Sequence, residues 1–317
     1  MNQGVRPRTS SDPRRFGGSL AYHTHSMKNA LTVDLEDYYQ VTAFSGSIDS
    51  SQWASQPSRV EPNTEKVLEI LGGAHCRATF FTLGWVAERF PQLVRRVADA
   101  GHEVACHSFA HRSVYELSRE QFREDTIRAK NVIEDAAGIA VTGYRAPSFS
   151  ITKSSAWAFE ILADLGFKFD SSVFPIRHPN YGIPDAPLDP YRIETPCGSL
   201  IEFPMPALQF GTQRAPFGGG AYLRLLPYGF TRWAIDYANR TQNRSVCVYM
   251  HPWEFDPAQP RVSSGITARI RHYTGLSGFT NKVRRLLSDF EFEPLGDLAK
   301  KILLEKPNLA EEVLATG

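Results

Sequence analysis

Apolar and polar positions change their rhythm in blocks along this chain, and each block's period predicts an element. Short apolar runs at 30–34, 77–82, 102–106 and 142–145 have the length and composition of strands. Between them, residues 63–71, 84–100, 118–137 and 153–165 carry apolar side chains at helical spacing. The stretch 118–137 is the most fully marked. Ser118 and Gln121 form a capping-box pair, then Phe122, Thr126, Ala129, Ile133 and Ala136 share one face, and Gly138 stops the run. Gly101 ends the preceding helix in the same way. Strands alternating with helices predict βαβ units around a parallel sheet.

The rhythm changes after residue 187. Two short strands flank a Cys197-Gly198 turn within 187–206, and a Gly218–Gly220 loop precedes a helix at 228–241. An apolar strand over Ser245–Met250 ends at His251; a helix at 278–288, a strand at 289–293 and a helix at 296–305 follow. The simplest architecture is an α/β barrel-like single domain. In such a barrel Asp34, His107, Arg145, Asp170 and His251 would all sit at strand C-terminal ends, where chemistry gathers.

Composition narrows the classes. Of 317 residues, 42% are apolar, enough for a sizeable core, and 35 basic against 34 acidic residues leave a net charge of +1. That balance excludes a protein built to grip nucleic acid or an anionic membrane surface. No run approaches the roughly twenty apolar residues of a membrane-spanning helix. The four cysteines lie far apart, which points to a reducing compartment rather than a disulfide framework or a cysteine-built metal site. Residues 1–27 are expected to be a disordered leader without a secretory signal, which makes a cytoplasmic location the expectation.

The candidate chemistry is hydrolytic. His107 and His111, four apart and so expected on one side of a helical turn, could hold a divalent metal with one carboxylate and leave a position open for water. Asp34 would be the general base, Arg145 would orient it, and His251 would protonate the leaving group. Asp170 would sit beside His251 and raise its pKa. Tyr38, Trp53, Phe149 and Trp253 lie near these residues, although aromatics are more often core. His75, His102, His178 and His272 have no matching motif, and the Gly218–Gly220 run reads as a flexible or close-packed loop.

This ordered set resembles the polysaccharide deacetylases, family 4 of the carbohydrate esterases. Asp34-Leu-Glu-Asp37, His107-Ser-Phe-Ala-His111, Arg145-Ala-Pro147, Asp170 and Tyr249-Met-His251 follow that family's motif order. The segments Phe217-Gly-Gly-Gly220, Leu226-Pro-Tyr-Gly229, His251-Pro-Trp-Glu-Phe-Asp-Pro257 and Arg271-His-Tyr273 resemble its exosortase-associated subgroup, with a C-terminal region within 200–317. The resemblance implies a distorted (β/α)7 barrel over 28–317 and removal of acetyl groups from N-acetylated sugars of a polysaccharide or its oligosaccharide precursor. It also implies zinc, and a place in exopolysaccharide biosynthesis. The first motif departs from the family's adjacent acidic pair, so the metal carboxylate is either Glu36 or Asp37. Ser148 stands where the family has proline, and Tyr249 where it has leucine. Two rival readings are a related hydrolase of a non-glycan amide and a catalytically silent glycan-binding protein.

Overall fold

The first strand is buried at all seven positions, because it lies between neighbours on both edges and under side chains on both faces. In the computed structural model, residues 27–305, Met1, Leu309 and the pair Glu311–Glu312 are described; the expected leader otherwise lies outside them. Strands β1 (Asn29–Leu35), β2 (Thr79–Thr82), β3 (Glu103–Cys106), β4 (Gly143–Tyr144) and β5 (Phe169–Asp170) pair in parallel in that order. The sheet continues through an antiparallel hairpin, β6 (Tyr191–Thr195) and β7 (Gly198–Glu202), with β7 on β5. A second hairpin, β8 (Ala207–Phe210) and β9 (Gln213–Pro216), stands apart. On the far side of β1 lie β10 (Cys247–Met250) and the short β11 (Phe292–Glu293), and β12 (Glu311–Glu312) extends the sheet beyond β6. This is an α/β fold with a mixed sheet.

The pleat of β1 sorts its side chains into two worlds. Leu31, Val33 and Leu35 join the large apolar cluster beneath helices α1 (Val60–Gly73), α2 (Gly84–Arg89), α3 (Pro91–Asp99), α4 (Arg119–Ala137) and α5 (Ala158–Asp164). Ala30 points the other way, with Phe81, Ala105, Phe169, Ile201 and Cys247. Thr32 and Asp34 therefore share the Ala30 side by the two-residue period, which leads from an apolar floor toward the strand's C-terminal end. The remaining helices are α6 (Gly220–Leu225), α7 (Tyr228–Asp236), α8 (Ile266–Tyr273), α9 (Leu276–Asp289) and α10 (Leu295–Glu305), a C-terminal helical extension. Helix α10 packs Leu295 and Leu298 under the floor, its first amides donating to Thr79 Oγ1 and Glu103 Oε2.

Most expected elements are present, and the differences have local causes. The stretch 84–100 is two helices, because Pro91 lacks an N–H and disfavours helical geometry at Phe90, which sits at φ −128°. The π-helical turn Tyr237–Thr241 finishes the expected helix at 228–241. Helices α6 and α8 and the β8–β9 hairpin were not expected. The two imidazoles of His107 and His111 do not share a helical turn. They lie on a loop with left-handed Ser108 (φ 63°) and His111 (φ 52°), folded back on itself by a His111 N–H to Ser108 Oγ bond.

That loop is anchored on the start of α2. The amides of Gly84 and Trp85 donate to the carbonyls of Ser108 and Phe109 at 2.9 and 3.0 Å, and a Cβ on Gly84 would sit 2.5 Å from Phe109 Cδ2. Gly84→Ala is therefore expected to lower stability by about 1–3 kcal/mol and displace the histidine loop. Thermal unfolding and metal titration of the variant check both effects.

Candidate metal and acid–base site

Chain direction changes at the tip of β1, and the two carboxylates there part company. Glu36 turns into the cavity: its Oε1 accepts from Trp253 Nε1 at 3.2 Å, and its Oε2 lies 3.0 Å from His111 Nε2. Asp37 turns away. Its Oδ1 accepts the Tyr38 amide and its Oδ2 accepts Ser58 Oγ and the amides of Arg59 and Val60, capping the first turn of α1. Asp37 is thus a structural carboxylate, and the open choice of metal carboxylate falls to Glu36.

His107 follows β3 and donates from Nδ1 to the Arg145 carbonyl at 2.8 Å, since that oxygen can only accept. Its Nε2 is left with a free lone pair. Burial pushes the His107 pKa down to about 4, so the imidazole is neutral and able to ligate. Glu36, His107 and His111 offer ligand atoms all within 4.8 Å of one another. Glu36 Oε2 is buried and makes no hydrogen bond, although it faces two imidazoles. Burial alone would raise its pKa, but His111, His251 and His107 bring it down to about 2. An ionised carboxylate with an unspent oxygen beside two imidazoles fits a divalent cation, and the two-nitrogen, one-oxygen set suits zinc.

Beside this triad, Arg145 Nη1 donates to Asp34 Oδ1 at 2.7 Å and to Thr32 Oγ1 at 2.8 Å, with no solvent exposure at the arginine. Asp34 Oδ2 faces His251 Nε2 at 3.8 Å, and the same nitrogen is 3.6 Å from Glu36 Oε1. His251 follows β10, and its Nδ1 lies 3.1 Å from Glu254 Oε2, which also accepts the His251 amide at 2.9 Å. Arg224 Nε holds the other Glu254 oxygen at 2.6 Å. Burial would lower the His251 pKa, but Glu254 first, then Glu36 and Asp34, raise it to about 9.

Asp170 is not the partner of His251. Its carboxylate accepts the amide and hydroxyl of Ser172, whose Oγ in turn accepts the Ala146 amide, so it braces the loop after Arg145. Its neighbour across the strands is Glu202, whose carboxyl burial and Asp170 push well upward. Sequence reasoning missed Glu254, yet His251-Pro-Trp-Glu254 carries a signal: a residue three places into a helical turn reaches back to the cap.

Asp34, Glu36, His107, His111, Arg224 and His251 line one cavity of about 300 Å³, together with Ser148, Phe149, Tyr249 and Trp253. Tyr38 and Trp53 belong instead to a core cluster. His178 and His272, without a motif in the sequence, are part of the cavity wall. The Gly218–Gly220 run is close-packed: a Cβ on Gly219 would lie 1.9 Å from the Tyr249 ring.

Residues 49–169 match the family model described as polysaccharide deacetylase, and residues 171–300 match a domain of unknown function, DUF3473. A peptidoglycan-N-acetylglucosamine deacetylase of Bacillus cereus is 33% identical over 98 residues, covering 31% of this chain and 36% of that protein. A chitooligosaccharide deacetylase of Sinorhizobium fredii is 36% identical over 85 residues, 26% of this chain and 40% of that one. The chain thus spans less than half the length of these relatives. Two solved structures share the fold: a candidate polysaccharide deacetylase from Mycobacterium smegmatis (TM-score 0.61, 18% identity, 91% of this chain and 94% of that one) and an allantoinase (TM-score 0.57, 14% identity, 94% and 99%).

The two carboxylates should separate in experiment. Glu36→Gln is expected to weaken zinc binding by at least tenfold with little loss of stability. Asp37→Ala is expected to retain zinc stoichiometry and lose about 1–2 kcal/mol of stability through the lost cap. Zinc titration and denaturant unfolding of both variants check this.

Proposed function

We propose that this protein is a metal-dependent deacetylase that hydrolyses the acetamido group of N-acetylated sugars in a polysaccharide or its oligosaccharide precursor. The observation that carries the reading is one cavity holding a Glu36–His107–His111 triad between an arginine-held carboxylate and a carboxylate-held imidazole. The polysaccharide deacetylase family match over 49–169 and the similarity to curated deacetylases support it. A divalent ion, when bound, lowers the pKa of water and polarises the acetyl carbonyl.

The chain's own residues then do the proton work. Asp34, fixed through Oδ1 by Arg145, takes a proton on Oδ2 as general base. His251, protonated at neutral pH and held at Nδ1 by Glu254, presents Nε2–H to the leaving nitrogen. Trp253 packs against the His251 ring at 5.0 Å and restricts its rotation.

Finer assignments are part of the same proposal. A distorted (β/α)7 barrel over 28–317 accords with the run of parallel strands and the sites at their C-terminal ends. Membership of the exosortase-associated subgroup, and work in exopolysaccharide biosynthesis, draw on the motifs that fall within 171–300. A cytoplasmic location accords with four unpaired cysteines. No helix among the described residues is long and apolar enough to cross a membrane.

Zinc-loaded protein should release acetate from an acetylated oligosaccharide. Asp34→Asn should lower kcat by roughly 10²–10⁴-fold while zinc and glycan binding persist; unchanged turnover would refute the base assignment. The protonated form of His251 is present below its pKa and lost as pH rises through about 9, so activity should fall on the alkaline side. Glu254→Gln removes the first of the charges that raise this pKa, so the alkaline limb of kcat should move to lower pH, which a pH–rate profile reads directly.

A further inference from the structure

We infer that the cavity takes a sugar bearing an anionic group (carboxylate, sulfate or phosphate) and that Arg271 reads it. The inference rests on the deacetylase reading and narrows its substrate class. Arg271 lies in the last turn of α8 and lines the same cavity as Asp34, Glu36, His107 and His111. Other arginines near the site are committed. Arg145 is bound to Asp34 and Arg224 to Glu254, while Arg214 donates to the carbonyls of Pro175 and Ala186, and Arg244 to those of Leu188 and Ala207.

Arg271 differs from all four. The groups facing its charge are the phenols of Tyr181, which is hydrogen-bonded to it, Tyr249 and Tyr222, and it pairs with no carboxylate among the described residues. The residue is exposed overall and lines the cavity, so its charge can be reached by a ligand there. Its backbone is pinned, because the Arg271 carbonyl accepts from Arg224 Nη2 at 2.9 Å. Tyr181 stacks on His178 at 3.6 Å between ring centres and runs parallel to Phe174 at 5.9 Å, which makes the neighbouring wall a fixed aromatic face. Tyr115, 41% exposed, adds a second aromatic surface to the cavity.

The charge count supports an anion. Asp34 is answered by Arg145, Glu254 is shared by Arg224 and the protonated His251, and Glu36 belongs to the ion. The lining charge with no carboxylate against it is the Arg271 cation, in a chain whose net charge is only +1, so it does not follow from a generally basic surface. A guanidinium fork matches the paired oxygens of a carboxylate, sulfate or phosphate. A neutral acetylated glycan would leave it unused.

The test compares acetate release by zinc-loaded wild type, Arg271→Gln and Arg271→Lys. The substrates are a neutral chitin tetrasaccharide, a hyaluronan tetrasaccharide with uronate carboxylates, the sulfated counterpart of the latter, and N-acetylglucosamine 1-phosphate. At least one anionic substrate is expected to show a KM about 10–100-fold below the neutral one. Arg271→Gln should remove that advantage with kcat retained and the neutral substrate unaffected, and Arg271→Lys should restore part of it; the favoured substrate identifies the anion. Equal KM values for neutral and anionic substrates in the wild type, or an equal loss on both in Arg271→Gln, would overturn the inference. Calorimetric binding of the same ligands to Asp34→Asn protein, with and without Arg271→Gln, reads the preference without turnover. Failure to release acetate from any substrate counts against the deacetylase reading, whereas equal binding of all ligands, or of none, overturns the role of Arg271.

Discussion

Arg145 carries a permanent charge at a point with no solvent exposure, so the fold has to surround it with acceptors. It does so from several strands at once. Thr32 and Asp34 come from β1, Ser171 follows β5, Cys247 opens β10, and the Phe81 ring of β2 lies 4.1 Å from the guanidinium carbon. Five donors in a rigid fork cannot be satisfied unless those strand ends keep their register. The same residue's carbonyl sets the His107 tautomer. One buried side chain therefore positions Asp34, and its backbone carbonyl orients His107.

The second constraint joins the first strand and the histidine loop to the matched region 171–300. Glu36, His107 and His111 belong to the N-terminal part, but His251, Glu254 and Arg224 belong to 171–300. Strand β10 is the direct neighbour of β1, which brings His251 to Asp34. Arg224 then ties Glu254 to the end of α8 by donating to the carbonyls of Arg271, His272 and Thr274. The 171–300 region is thus built into the wall of the same cavity.

Much of this was legible in the residues. The Ser118–Gln121 capping box, the stop at Gly138 and the apolar strand ending at His251 are local signals, and local signals survive folding. What failed depended on distant partners. Glu36 and Asp37 look equivalent in sequence. The difference lies in amides at residues 59–60, which are free to bind Asp37 only because α1 begins there. Asp170 was expected beside His251, but β5 sits four strands from β1, whereas Glu254 is three residues from the histidine along its own turn. The His107–His111 spacing suggested a helix because four residues make a turn, yet Ser108 and His111 take left-handed geometry that only the contacts to α2 explain.

The site also shows how buried charge is divided between folding and function. Asp34 and Glu254 are matched by arginines within the chain, so both are settled before any ligand arrives. Glu36 is different: it is buried and ionised, and one oxygen is left without a hydrogen bond. An unspent buried acceptor costs stability, typically about 1–3 kcal/mol. The fold sustains that cost at the one carboxylate where two imidazoles converge, and a cation bound there would return it as affinity. Filling Glu36 with an internal donor, as Asp37 is filled, would give a steadier protein and remove the site.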